Sequence, residues 1–255
     1  MPSLNAAGRR LDYRRIDARS PDRPPLVFLH EGLGSIEQWR DFPDRVAETT
    51  GCGAVVYSRY GYGRSDPLEE GRGVDYLHRE ALDSLPEVLA ALDIREPILI
   101  GHSDGASIAL IHAGAGRWPV RGLILEAPHV FVEDITIAGI VEAEAAYRKT
   151  DLAQRLGRYH TDVDRTFRGW CEAWLNPEFR GWNIEDCLPG IRCPVLLIQG
   201  MEDEYATMAQ LDAIERQVSA PVQRLELANC GHTPHRDQPD AVLAAMTRFI
   251  EECSG

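Results

Sequence analysis

The chain has 255 residues, 44 % of them hydrophobic, which is enough to bury the core of one large α/β domain. Its formal net charge of −13 at pH 7 repels phosphates and anionic lipid heads, which argues against nucleic acid or a membrane surface as partner and favours a neutral or cationic small molecule. No apolar run approaches the roughly 18 residues of a membrane helix, the N-terminus lacks an apolar signal core, and the six cysteines form no CxxC pair; a cytoplasmic protein with free thiols is expected.

In chain order, RLDYRRI (10–16) reads as an antiparallel edge strand. PLVFLH (25–30), GAVVYS (53–58), PILIG (97–101), GLILEAP (122–128) and PVLLIQG (194–200) are short apolar runs rich in Val, Ile and Leu, the pattern of strands covered on both faces. VQRLELA (222–228) is a further strand candidate. Helical stretches fall near 36–49, 75–93, 103–116, 206–217 and 238–252. Strand and helix alternate, so the fold class is α/β with a mostly parallel central sheet flanked by helices. The alternation breaks once. Residues 129–190 hold no core strand but two amphipathic helical patterns, which divides the chain into a core of 1–128 and 191–255 and a helical insertion of 129–190.

The stretch Gly101-His102-Ser103-Asp104-Gly105 joins a buried strand to a helix with almost no residues for the turn. Such a turn strains the serine backbone and requires near side-chain-free neighbours two residues before and after it, as Gly101 and Gly105 are. The bland alternative is a serine that merely caps a helix. A nucleophilic serine needs a base, and the base needs an orienting carboxylate. His232, in the loop ANCGHTPHRDQP after the last strand, is the candidate base, with His235 as its rival. His102 is expected to hydrogen-bond within the core and His112 to pack. Cys230, His232 and His235 lack a second compact ligand pair, so no metal is expected. Asp203, after PVLLIQG, is the candidate acid, flanked by Glu202 and Glu204, and Glu126 at the end of the preceding strand is the alternative. The order Ser103, Asp203, His232 suits a strand-to-helix elbow of this kind. Backbone N–H groups of Asp104 and of Gly32, or else Leu33, in HEGLGS are the candidate oxyanion donors.

Taken in order, HEGLGS, SRYGYGRSD (58–66), GHSDG, GMEDEY and GHTPH resemble the α/β-hydrolase family, in its capped branch of small-molecule esterases and carbon–carbon bond hydrolases. The resemblance spans nearly the whole chain and implies that 129–190 is a helical cap over the active site. It implies an acyl-enzyme on Ser103, without metal or organic cofactor. A serine rather than an aspartate at 103 disfavours the dehalogenase and epoxide hydrolase chemistries of the family. Two residues depart from the family pattern. Glu31 follows His30 where glycine is usual, and Asp104 follows the nucleophile, where a carboxylate at a helix N-terminus suggests a structural role.

Phe167, Trp170, Cys171 and Trp174 form one aromatic-rich helical stripe, and Trp170 and Trp174 are candidate roof residues of the pocket, with Leu33 and His129 as further substrate contacts. Glu31, Asp104, Glu202 and Glu204 near the mouth disfavour anionic substrates. The expected activity is hydrolysis of a small, largely apolar carboxylic ester. Carbon–carbon bond hydrolysis, lactone opening and acyl transfer use the same residues, and a non-catalytic ligand-binding protein on this fold is the alternative from another class.

Overall fold

In the computed structural model, which describes residues 2–254, the apolar runs line up as one eight-stranded sheet of order β1-β2-β4-β3-β5-β6-β7-β8. The strands are β1 (Ser3–Ala6), β2 (Arg9–Ile16), β3 (Leu26–Leu29), β4 (Ala54–Tyr57), β5 (Ile98–His102), β6 (Gly122–Glu126), β7 (Val195–Gly200) and β8 (Val222–Leu227). From β4 to β8 every neighbouring pair is parallel, and β2 joins β4 antiparallel. β2 is not the edge. β1 pairs with it antiparallel through the tight turn at Ala7 and Gly8 and takes the edge position itself.

Strands β3 to β7 are buried along their whole length because each contributes to two cores. The period of two sends Val27, Leu29, Leu99, Leu123, Leu125 and Leu197 into one core, and Leu26, Phe28, Ile98, Ile100, Ile124 and Ile198 into the other. β8, the other edge, is half-exposed, and its Arg224 pairs with Asp212, Glu215 and Glu226.

The helices are α1 (Phe42–Thr50), α2 (Tyr76–Arg79), α3 (Leu85–Ala91), α4 (Asp104–Gly114), α5 (Asp134–Lys149), α6 (Leu152–Leu156), α7 (Val163–Leu175), α8 (Ala209–Gln217), α9 (Pro234–Asp237) and α10 (Pro239–Ser254). Two predicted helices are interrupted. The stretch 36–49 divides into a 3₁₀ turn, Ile36–Trp39, and α1, because Arg40 takes a left-handed φ of 55° and Pro43 then restarts the helix. The stretch 75–93 contains a π-turn, Glu80–Ser84, just before Pro86, whose missing N–H leaves the Leu82 carbonyl without its usual helical donor. Helices α5 to α7 occupy the segment between β6 and β7. No helix among the described residues is long and apolar enough to cross a membrane, and the six cysteines are free.

Candidate active site

The site begins where β5 turns into α4. A side chain at Gly101 would run into the backbone of Gly105 and Ala106, and one at Gly105 would overlap the Leu29 carbonyl, so strand and helix approach this closely only with glycine at both positions. Ser103 stands between them at φ 53° and ψ −115°, a backbone conformation that costs a residue with a side chain about 1–3 kcal/mol. Its backbone holds the turn: the N–H donates to the Glu126 carbonyl at 2.9 Å, and the carbonyl accepts from Ala106 and Ser107 at 2.9 and 3.1 Å. Its hydroxyl makes no capping bond, contrary to the bland alternative.

The Ser103 Oγ instead lies 2.9 Å from His232 Nε2, and His232 Nδ1 lies 2.8 and 2.9 Å from the two carboxylate oxygens of Asp203. A carboxylate only accepts, so the proton sits on Nδ1 and Nε2 is left to accept from the serine. Asp203 also accepts the backbone N–H groups of Tyr205 and Ala206 at 2.8 and 3.3 Å. Burial pushes the Asp203 carboxyl up, but the facing His232 and these N–H donors outweigh it and hold the acid below its ordinary range.

The three acids 202–204 all serve the loop that carries His232. Asp203 meets the imidazole, Glu202 accepts the Cys230 N–H at 2.8 Å, and Glu204 accepts the His232 N–H at 3.2 Å. Asp237 accepts the Gly231 N–H at 2.9 Å. From the elbow, His102 Nε2 donates to the His232 carbonyl at 2.6 Å, so His102 reaches the base loop rather than only the core. Glu31 faces the other ring nitrogen of His102 at 3.7 Å, its carboxylate folded over Gly34, where any side chain would collide with it. Burial opposes charge on both groups, but their mutual attraction wins, lowering Glu31 and raising His102.

The rival acid and the rival base pair with each other. His235 Nδ1 lies 3.0 Å from Glu126 Oε2, which also accepts the His235 backbone N–H at 2.9 Å. The His235 ring sits against Trp39 and Phe42, with centroids 4.6 and 5.4 Å away. Burial pushes Glu126 up, yet His235 outweighs it and keeps the acid ionised below its ordinary value. Cys230 Sγ faces the Gly231 carbonyl, and no group of three or more His, Cys, Asp or Glu side chains among the described residues is arranged to hold a metal.

A cavity of about 230 Å³ opens onto Ser103 and His232. Leu33, His129, Trp170 and Trp174 line it, and Gly32 lies so close to the Trp170 indole that a side chain there would overlap the ring. The backbone N–H groups of Gly32, Leu33 and Asp104 have no acceptor among the described residues. Asp104 points its carboxylate away, accepting the Tyr76 hydroxyl at 2.7 Å with Arg59 3.6 Å off, and Tyr76 in turn accepts Trp174 Nε1 at 2.8 Å. His129 Nε2 donates to the Tyr205 carbonyl at 3.3 Å. Burial, then the neighbouring His232, lowers its pKa to about 4, so it is neutral near pH 7. Sequence reasoning missed Ile140, Thr136, Tyr205 and Thr233 as lining residues; Tyr205 and Thr233 carried a signal, their places directly after the acid run 202–204 and after His232.

A parallel sheet with a strained serine at a strand-to-helix elbow, faced by a histidine–aspartate pair, defines the class of the α/β hydrolases. The model of the alpha/beta hydrolase family matches residues 26–245, and the chain belongs to that family. It is 26 % identical to the proline iminopeptidase of Lactobacillus delbrueckii subsp. bulgaricus, over 87 % of this chain and 88 % of the relative. Among solved structures it is similar to the enol-lactonase from Burkholderia xenovorans LB400, with a TM-score of 0.77 and 19 % identity over 98 % of this chain and 100 % of that one. It is also similar to an esterase from Exiguobacterium antarcticum, with a TM-score of 0.78 and 18 % identity over 98 % of each. These two likenesses are of fold. The chain is a hydrolase of this family.

Proposed function

We propose that the protein is a serine hydrolase that cleaves a small, largely apolar carboxylic ester through an acyl-enzyme on Ser103. The observation that carries this reading is the unbroken line from Ser103 Oγ through His232 to Asp203, opening onto a cavity whose walls include the apolar and aromatic side chains of Leu33, Ile140, Trp170 and Trp174. In this mechanism His232 takes the Ser103 proton as Oγ attacks the acyl carbon. Asp203 stabilises the imidazolium, and the Gly32 and Asp104 N–H groups receive the oxyanion. His232 returns the proton to the leaving alcohol, then activates the water that frees the acid. These residues supply the whole reaction, so it needs no metal or organic cofactor. Residues 129–190 act as the cap, with Trp170 and Trp174 as its underside. The charge and the free thiols suit a cytoplasmic enzyme whose partner is a small molecule rather than nucleic acid or a membrane surface.

Labelling with a fluorophosphonate, read by intact mass and peptide mapping, tests the mechanism. One adduct, on Ser103, supports it; no adduct on folded protein favours the ligand-binding alternative. A short-chain p-nitrophenyl ester series tests the substrate class, set beside aminoacyl p-nitroanilides. The amides represent a second reading, favoured by the Glu204 carboxylate at the cavity and by the relative named as an iminopeptidase, in which a substrate ammonium meets that carboxylate. Faster turnover of the amides would replace the ester reading with that one. Preferential opening of an enol lactone would instead shift the assignment to lactone hydrolysis.

A further inference from the structure

A second cavity, of about 350 Å³, lies beside the first. Tyr76 belongs to the walls of this one, while its hydroxyl holds Trp174 and Asp104 of the other. Arg72 and Glu80 line it with side chains only 4 % and 8 % exposed. The Arg72 guanidinium lies over the rings of Tyr62 and Tyr76, 4.6 and 5.3 Å from their centroids, and donates to the Tyr60 carbonyl at 2.6 Å. Its Nε and the Oε2 of Glu80 are buried without a hydrogen-bond partner among the described residues. The nearest approach of the two side chains, 3.8 Å, is too long for a hydrogen bond. A buried donor and a buried acceptor left unmet are destabilising, a penalty that a ligand supplying both partners removes.

The chain shapes itself to this cavity. The π-turn Glu80–Ser84 directs Glu80, Asp83 and Ser84 to it, and such turns recur at functional sites. Three arginines (9, 72, 79) face three acids (70, 80, 83) around it, a balance that favours neither a plain anion nor a plain cation. Ala6 and Leu68 add an apolar patch. We propose that this cavity binds a small zwitterion, a free α-amino acid with an apolar side chain, its carboxylate on Arg72 and its ammonium on Glu80.

Titration calorimetry of the full chain with L-leucine, isovalerate and isoamylamine tests this without reference to catalysis. L-leucine is expected to bind one to one, and the two monofunctional analogues about tenfold more weakly or worse, since each lacks one charge-assisted bond. Glu80→Gln should weaken L-leucine by a similar factor. Gly71→Trp should abolish binding from the cavity rim, where a side chain meets open space and the fold is not disturbed. Glu204→Gln, in the other cavity, should leave it unchanged. The proposal is overturned by no heat with L-leucine up to about 10 mM, by equal binding of isovalerate or isoamylamine, by wild-type affinity in Gly71→Trp, or by a loss in Glu204→Gln alone.

Discussion

The histidines of two histidine–carboxylate pairs stand three residues apart, His232 in the loop before α9 and His235 in α9 itself, and they differ in what surrounds the imidazole. His232, on Asp203, presents its far nitrogen to Ser103 at the wall of a cavity. His235, on Glu126, lies against Trp39 and Phe42 and has no hydroxyl partner among the described residues. Both acids are buried and both are held ionised by their histidines. On the proposed mechanism, pairing alone does not make a base; a hydroxyl and an open pocket at the second nitrogen do.

Ser103→Ala removes what distinguishes the first pair, and kcat should fall by about 10⁶-fold in steady-state turnover of the best ester. Asp203→Asn keeps the shape but lets the imidazole take the wrong tautomer, and about 10⁴-fold should be lost with the fold intact by circular dichroism. The same change in the second pair, Glu126→Gln, should act on stability instead. Denaturant unfolding should show a loss of about 3–5 kcal/mol, the cost of breaking a buried pair, with kcat within roughly tenfold of wild type. A kcat loss matching that of Asp203→Asn would erase the contrast and bring Glu126 into the reaction.

His129 sharpens the comparison through pH. In the unfolded chain it binds a proton near its ordinary 6.5, but in the folded protein only near about 4. Between those values the unfolded state holds more protons, so stability falls as pH falls, by about 3 kcal/mol across the full window. Asp203 and Glu126, also held below their ordinary values, act lower on the scale with the same sign. Urea unfolding from about pH 7 to about pH 4 should show a shallower slope for His129→Gln than for wild type.

Much of this architecture is legible in the residues. The apolar runs identify five of the six parallel strands because each of those five is buried on both faces, and the elbow is visible because Gly101 and Gly105 leave no other use for so short a turn. Among three consecutive acids, choosing Asp203 rested on position, and the structure shows the physical difference: the longer Glu202 and Glu204 reach past the imidazole to backbone N–H groups of the base loop. What lay beyond reach depends on contacts distant in sequence. Glu126 and His235 meet across 109 positions, and Glu31, an oddity beside His30, makes sense only once His102 stands behind it. β1 is a weak strand alone and forms because β2 offers it a partner.

The left-handed backbone of Ser103 has a consequence for durability. Glycine would adopt the same φ of 53° without tension, so Ser103→Gly should resist denaturant better than wild type, by about 1 kcal/mol, while turning nothing over. The most robust version of this fold is then an inert one, and selection for activity holds the protein below the toughness its own sheet would allow.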